Sequence, residues 1–367
     1  MVTYSAQYRE SNRSADFKPF FSICIPQYNR IDFLIKACGT FLRQDFVSYE
    51  ICISDDCSND TKWTDILDYL RDSASTYVYV RTERNLRYDG NLRNAIALSI
   101  GEYLILMGND DGMSDAAAFR AIHDEIVRFS PIAVAITNYR ELPSGRIYRR
   151  ITKTGVLGSG PTIAVSNFRN YSFVSGIILK GDPARQAATE ILDGSEMYQM
   201  YVGTRMIAAG GRLLGIDRVC VDKDLQIVGQ TVYRYRDRPR LHPCPIVERP
   251  LPMVWLLRVV AAGLGPDDAK GGREQHLIRV AKELYRFTYP FWAFEYRICQ
   301  SWRFAVGLYL AVRPTRITNG LTFSRLGKFR MWSAYICFGF LALTIPTPVF
   351  SVCKPWLYAF AKRVRRH

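Results

Sequence analysis

Gly101-Glu102-Tyr103-Leu104-Ile105-Leu106-Met107-Gly108-Asn109-Asp110-Asp111 is the stretch whose reading decides the fold. Tyr103 to Met107 is a mostly apolar run of strand length, and it delivers two carboxylates at its end, where an open α/β sheet places its chemistry. Adjacent acids at a strand end are costly to hold unless something cationic neutralises them. A divalent metal carrying a diphosphate is such a partner.

Upstream of this run, strand and helix patterns alternate at βαβ spacing. Phe20 to Ile25 reads as a first strand stopped by Pro26, and Ile31 to Phe41 has apolar residues at helical intervals. Tyr49 to Ser54 follows as a strand ending in Asp55-Asp56, then Thr61 to Leu70 as a helix, Thr76 to Val80 as a strand and Asn91 to Ser99 as a helix. Downstream, Ala116 to Phe129 reads as a helix, Ile132 to Thr137 as a strand, Val174 to Leu179 as a strand, Ser195 to Ala209 as a helix and Ile216 to Val221 as a strand. Arg140 to Asn170, rich in Gly, Ser and Thr, reads as partly irregular. Neither a G-x-G-x-x-G turn nor a Lys-bearing phosphate loop is present, which lowers the standing of a dehydrogenase or P-loop enzyme.

The expected organisation is an N-terminal extension over 1–19, an α/β catalytic domain over 20–238, a Pro-rich linker and helical region over 239–330, and an apolar and basic segment over 331–367. In the third region Met253 to Ala262, His276 to Phe287 and Phe291 to Val312 read as helices. The formal net charge is +15, and no Asp or Glu follows Glu295 whereas twelve Lys and Arg residues do. Such asymmetry points to an anionic surface as partner. Met331 to Cys353 is uncharged and strongly apolar, which favours a membrane surface over nucleic acid. Pro346 and Pro348 divide it, leaving about 15 helical residues, or roughly 22 Å, against a hydrocarbon core of ~30 Å. An interfacial or re-entrant anchor is therefore favoured over a true span or a buried core helix. Met1 to Pro19 is polar without an apolar core, so the catalytic domain is expected on the cytoplasmic side. Nine cysteines occur without a CxxC pair, and Cys24 and Cys52 fall in core strands, which reads as reduced thiols packed as small hydrophobes. The sequence carries no signal of oligomeric state.

Four elements converge on the carboxyl edge of the expected sheet: Pro26-Gln27-Tyr28-Asn29-Arg30, Asp55-Asp56, Asn85 to Asn94 with Arg87 and Asn91, and Asn109-Asp110-Asp111. Asp55 or Asp56 can accept a hydrogen bond from a nucleobase imide or amide, while Asp111, with Asp110, suits a metal on a diphosphate. Arg30, Arg84 or Arg87 can neutralise what the metal leaves. Taken singly, Asp55 to Asp60 would serve as an Asx-rich helix cap and Asp110-Asp111-Gly112 as a hairpin turn. Their order, each after a strand, argues for one site.

This combination resembles the family 2 glycosyltransferases of GT-A fold. The opening P-x-[YF]-N is Pro26-Gln27-Tyr28-Asn29, the Asp-Asp-x-Ser-x-Asp signature is Asp55 to Asp60, and the A-x-G-E-Y lead is Ala97 to Tyr103 with one residue more between Ala and Gly. The D-x-D-like motif is Asn109-Asp110-Asp111, with Asn where many members have Asp. More narrowly, Asn85-Leu86-Arg87-Tyr88-Asp89-Gly90-Asn91 and Met107 to Asp111 resemble the abequosyltransferase-like branch of O-antigen and capsule sugar transferases. The resemblance implies a nucleotide-sugar donor, a polyprenyl-diphosphate-linked glycan acceptor, and Mn²⁺ or Mg²⁺ held by Asp111 and Asp110. It also implies an inverting transfer with a carboxylate base at a helix start; Glu196 falls in that place, with Asp193 in reserve. His242 could touch the departing phosphates or be a plain loop residue. The competing readings are a nucleotidyltransferase acting on a sugar phosphate and a non-catalytic basic membrane-binding protein.

Overall fold

The computed structural model describes residues 4–73, 75–230, 252–266, 272–299 and 301–364, and the chain divides into two compact units, Met1–Val232 and Tyr233–His367. In the first unit the strands are β1 (Ala6–Ser11), β2 (Phe21–Gln27), β3 (Tyr49–Asp55), β4 (Tyr77–Thr82), β5 (Tyr103–Leu106), β6 (Gly112–Met113), β7 (Val134–Glu141), β8 (Arg146–Tyr148), β9 (Gly155–Gly158), β10 (Ile177–Lys180) and β11 (Leu213–Lys223). They form one sheet in the order β1-β4-β3-β2-β5-β10-β7-β11-β6, with β8 beside β7 and β9 beside β11. The β4-β3-β2-β5 stretch is parallel, and β10 runs antiparallel between β5 and β7. Its helices are α1 (Ile31–Leu42), α2 (Asp65–Asp72), α3 (Arg87–Leu98), α4 (Ala118–Phe129), α5 (Pro161–Asn167), α6 (Gly181–Gln186) and α7 (Tyr198–Ala208).

The parallel centre follows from the sequence. Ile23, Ile25, Ile51, Ile53 and Ile105 are fully buried, as expected for strands covered on both faces by crossover helices. On α4, Phe119, Ile122 and Ile126 face the core while Arg120 and Arg128 face solvent, the division that its helical spacing dictates. Gly101, in the turn before β5, is where a side chain has no room: a Cβ there would lie 2.6 Å from Ser22 Oγ.

One part of the expected organisation needs correction. Residues 1–19 are not a mere extension, because Ala6–Ser11 pairs antiparallel with β4 and supplies the edge of the sheet. Alternation there is masked by polar side chains that work as links: Glu10 takes the guanidinium of Arg71 and the hydroxyls of Tyr8 and Tyr77. The interval 140–170 is partly irregular as expected, its short elements β8, β9 and α5 separated by turns and bends at 142–145 and 149–154.

The second unit is helical: α8 (Leu256–Leu264), α9 (Gly272–Glu283), α10 (Tyr289–Cys299), α11 (Trp302–Ala311), α12 (Pro314–Ile317), α13 (Arg325–Thr344) and α14 (Thr347–Val364). The expected single helix from Phe291 to Val312 is two, because Ser301 accepts the Phe304 N–H and caps α11. Ser324 caps α13 in the same way, and Arg297 donates to the carbonyls of Ala342 and Ile345 at its other end. No helix among the described residues is long and apolar enough to cross a membrane. One face of α13 is buried through Met331, Ala334, Tyr335 and Ala342, while Phe329, Trp332, Ile336 and Phe340 are exposed on another. His242 and the linker prolines 239–250 lie outside the described residues.

Candidate active site

Asp55 ends β3 and Asp110-Asp111 follow β5, and β2 lies between these strands. The two acidic clusters therefore share one sheet edge, following strands that lie two spacings, about 10 Å, apart. The segment after β2 joins them. Gln27 is fully buried; its carbonyl accepts the Asp56 N–H at 2.8 Å and the Asn91 amide at 3.0 Å, and its Oε1 accepts the Asn109 amide at 2.8 Å. Arg30 pairs with Asp110 at 2.8 Å. Tyr28 is 45% exposed beside this network, and Pro26 lies one residue inside β2.

Asp55 is not free to meet a ligand. It is fully buried, with one oxygen accepting the Ser58 N–H at 2.8 Å and the other the Tyr79 hydroxyl at 2.5 Å. Asp56 differs: its carboxylate accepts backbone N–H groups of the Leu86-Arg87 turn, and burial pushes it up to about 6. Asn29 likewise is used internally, since its Oδ1 takes the N–H groups of Asn59 and Asp60 and its own N–H donates to Ser58 Oγ. Arg84 and Arg87 are exposed.

Asp111 is 3% exposed. Its Oδ1 accepts the Asp224 N–H at 3.0 Å and its Oδ2 the Ser175 hydroxyl. Burial and then the charge of Asp110 push its carboxyl up to about 7. A carboxylate raised in this way is one that a hard dication would return to its charged form. Among the described residues no three His, Cys, Asp or Glu side chains converge on one point. The donor set therefore fits a cation held by one or two carboxylates and completed by diphosphate oxygens, as is usual for Mg²⁺.

Glu196 is exposed, has φ 58° and directly precedes the Met197 cap of α7. Asp193 is held by Arg93, with contacts of 2.6 and 2.8 Å to its two oxygens, and is thus unsuited to a proton-accepting reserve. Six non-glycine residues with positive φ occur among the described residues: Asn29, Arg30, Cys57, Arg87, Glu196 and Asp224. All lie in loops around these acids or, for Arg87, at the start of α3, the kind of clustering expected where function fixes the backbone.

Several contributors are not visible in the sequence patterns. Asp89, inside the quoted Asn85 to Asn91 motif, accepts N–H groups from the Glu196 loop. Ser175 precedes Gly176, whose φ of 77° and a Cβ position 2.5 Å from Thr137 Oγ1 require glycine. Arg150, from the interval read as irregular, donates to the carbonyls of Thr137, Phe173 and Ser175, which fixes the segment carrying Ser175; burial lowers it to about 10. Asp224 acts through its backbone, which no side-chain pattern reveals. A separate cavity of about 590 Å³, lined by Arg9, Arg13 and Arg185 among others, contains none of these acids.

Residues 22–177 match the family model described as Glycosyl transferase family 2. The match spans less than half of the chain. The chain is 35% identical over 96 residues to WcaA of Escherichia coli (strain K12), a glycosyl transferase named for colanic acid biosynthesis, covering 25% of this chain and 33% of that protein. It is 32% identical over 96 residues to the abequosyltransferase RfbV of Salmonella typhimurium (strain LT2), covering 25% and 28%. It is 27% identical over 99 residues to the GalNAc(5)-diNAcBac-PP-undecaprenol beta-1,3-glucosyltransferase of Campylobacter jejuni, covering 27% and 32%. The chain thus spans about a third of the length of the curated relatives it matches. Among solved structures, S. aureus TarS 1–349 in complex with UDP-GlcNAc shares the fold at TM-score 0.60 and 14% identity, over 87% of this chain and 90% of that one. The mannosyltransferase PcManGT from Pyrobaculum calidifontis in complex with GDP-Man and Mn²⁺ does so at 0.52 and 13%, over 95% and 87%. The GT-A-like core expected from the sequence is therefore present, and the branch resemblance rests on a partial match.

Proposed function

We propose that this chain is an inverting glycosyltransferase that moves a sugar from a nucleoside-diphosphate donor to a hydroxyl of a glycan acceptor carried on polyprenyl diphosphate, in bacterial O-antigen or capsule synthesis. The observation that carries it is the shared edge: Asp56 and the Asp110-Asp111 pair are bridged through Gln27, Asn109 and Arg30, at a separation suited to the two ends of one nucleotide-linked sugar. A donor of this kind is supported by the family segment and by the nucleotide sugars bound to similar folds. A lipid-linked acceptor is supported by the Campylobacter relative and by the exposed apolar stripe of α13 beside a basic C-terminus. The same stripe argues for a peripheral position at the cytoplasmic face of the inner membrane.

In this reading Asp56 accepts a hydrogen bond from the nucleobase, Tyr28 lies against the base, and Asn91 and Arg87 border the donor. Asp111, with Asp110 or Asn109, would hold Mn²⁺ or Mg²⁺, which when bound offsets charge on the leaving diphosphate. Arg30 holds Asp110 in place through their ion pair. Glu196 takes the proton of the acceptor hydroxyl as its oxygen bonds to the anomeric carbon; the bond to the diphosphate breaks on the opposite face, and the configuration inverts without a covalent enzyme intermediate.

The test is a panel of UDP-, GDP-, CDP- and dTDP-sugars with Mn²⁺, read by nucleoside diphosphate release. Release of inorganic pyrophosphate would identify the nucleotidyltransferase instead. Asp111→Ala and Glu196→Gln are each expected to lower turnover by about 10²-fold or more. Mn²⁺-dependent tightening of UDP or GDP binding should vanish in the first variant alone. Near-normal turnover in either variant refutes the role given to that residue.

A further inference from the structure

We propose that Asp89 is a positioning residue for Glu196, holding the candidate base in its left-handed conformation from a helix on the donor side of the site. The inference rests on Glu196 being the base. Asp89 sits in the first turn of α3 and is 1% exposed. Its Oδ2 accepts the Glu196 N–H at 2.8 Å, and its Oδ1 accepts the N–H groups of Met197 and Tyr198, each at 3.0 Å. Ser195 Oγ donates to both carboxylate oxygens at 3.4 Å and accepts the Met197 N–H at 3.1 Å.

Those amides are the orphan donors at the start of α7, and Met197 at the cap makes no side-chain cap of its own. Asp89 supplies from another helix what a local cap residue would supply, and its negative charge sits at the positive end of α7. A non-glycine residue at φ 58° is held against its own preference, so its retention needs surrounding bonds that leave no alternative. One helical turn along α3, fully buried Arg93 grips the same loop through Asp193 and the Thr189 carbonyl at 2.7 Å. Tyr88 adds a bond to Gln199 Oε1 at 2.9 Å.

The segment is bound to the donor side as well. Asn85 Nδ2 donates to the Asp56 carbonyl at 3.2 Å, and the Leu86 N–H donates to the Asp56 carboxylate. A single piece of chain thus touches the group assigned to the nucleobase and fixes the loop that carries the base.

Asp89→Ala and Asp89→Asn are measured beside Glu196→Gln in the full chain, with the nucleotide sugar that turns over fastest in the panel above. Asp89→Ala should lower kcat by about 10²-fold with donor KM within about threefold, since a displacement near 1 Å suffices for such a loss. Asp89→Asn, which keeps one acceptor oxygen, should recover part of it. Hydrogen exchange at Glu196, Met197 and Tyr198 should accelerate in Asp89→Ala, with β2 and β3 unchanged. Where Asp89→Ala does not fold, Ser195→Ala makes the same test, with kcat several-fold down and donor KM unmoved. Wild-type kcat in these variants, or equal damage to UDP or GDP binding, overturns the positioning role. An active Glu196→Gln overturns the base assignment itself, so the two failures are distinguishable.

Discussion

Asp55 is the last residue of β3 and Asp56 follows it; both are buried, yet their carboxylates take different partners. Asp55 points into the core and meets Tyr79 and Ser58, so it holds the edge of β3 together. Tyr79→Phe leaves a buried carboxylate oxygen without its donor and should destabilise the protein by about 1–3 kcal/mol in thermal or denaturant unfolding, with nucleotide affinity little changed. A large loss of nucleotide affinity at unchanged stability would return Asp55 to the binding site. Asp56 gives the opposite signature. Its native carboxyl titrates near 6 because burial disfavours the charge, whereas in the unfolded chain it titrates near ~4. Below that unfolded value both states hold the proton and Asp56 contributes no pH dependence. As pH rises from about 4 to about 6 the unfolded chain ionises first, so the stability that this residue leaves at low pH is lost across that window. Asp56→Asn removes the loss: its stability relative to wild type should grow across the window and level off above it at roughly 3 kcal/mol. Donor KM should rise by about tenfold, because the amide presents a donor where a nucleobase imide needs an acceptor. An unchanged pH profile of unfolding removes the assigned burial cost.

The parallel strands of the centre are legible in the sequence because buried parallel strands are continuous apolar runs, and Phe21 to Ile25, Ile51 to Ile53 and Tyr103 to Leu106 need no alternation to be found. β1 is illegible for the converse reason. An edge strand faces solvent on one side, and Gln7 and Glu10 carry its polar links to β4 and α2 instead of an apolar stripe. At the site, motif spacing locates Asp56, Asp110 and Asp111, since each follows a strand that the pattern defines. It does not separate Asp55 from Asp56, nor find Asp89, because both depend on which long-range donors reach a carboxylate: Tyr79 is 24 positions from Asp55 and Tyr198 is 109 from Asp89. The edge-strand assignment carries its own prediction. Removal of residues 1–12 would expose the pairing edge of β4 and cut the Glu10–Arg71 pair, so the melting temperature should fall by about 5 °C or more and association should appear in size-exclusion chromatography. A monomeric truncation with unchanged melting would mean that β1 adds nothing to the sheet.

At the scale of the whole chain, positive charge and apolar surface coincide in the C-terminal unit. A soluble helix bundle buries one stripe of each helix and leaves the other polar, but α13 has apolar residues on both sides. Met331, Ala334, Tyr335 and Ala342 satisfy the bundle, so Phe329 at 68% exposure, Ile336 at 56% and Phe340 at 64% are surplus to folding. Helix α14 adds Val352 and Trp356, at 78% and 83%. With no acid beyond Glu295 to repel anionic headgroups, the combination matches an interfacial helix pair that buries aromatic side chains at the acyl boundary and keeps Lys and Arg among phosphates. Neither apolar insertion nor charge suffices alone, so the two contributions can be separated. Phe329→Glu with Phe340→Glu changes exposed positions and should leave folding intact, while removing roughly 3 kcal/mol or more of apolar insertion. Sedimentation with vesicles of phosphatidylglycerol and phosphatidylcholine should then show binding weakened by about 10²-fold at low salt. Wild type should lose part of its binding in 0.5 M salt, at about the ionic strength where headgroup attraction is screened within a few ångströms. Turnover on a soluble acceptor analogue should be retained in the double variant. Vesicle binding equal to wild type would place the membrane contact elsewhere, and binding that ignores both substitutions and salt would remove the anionic bilayer as the partner.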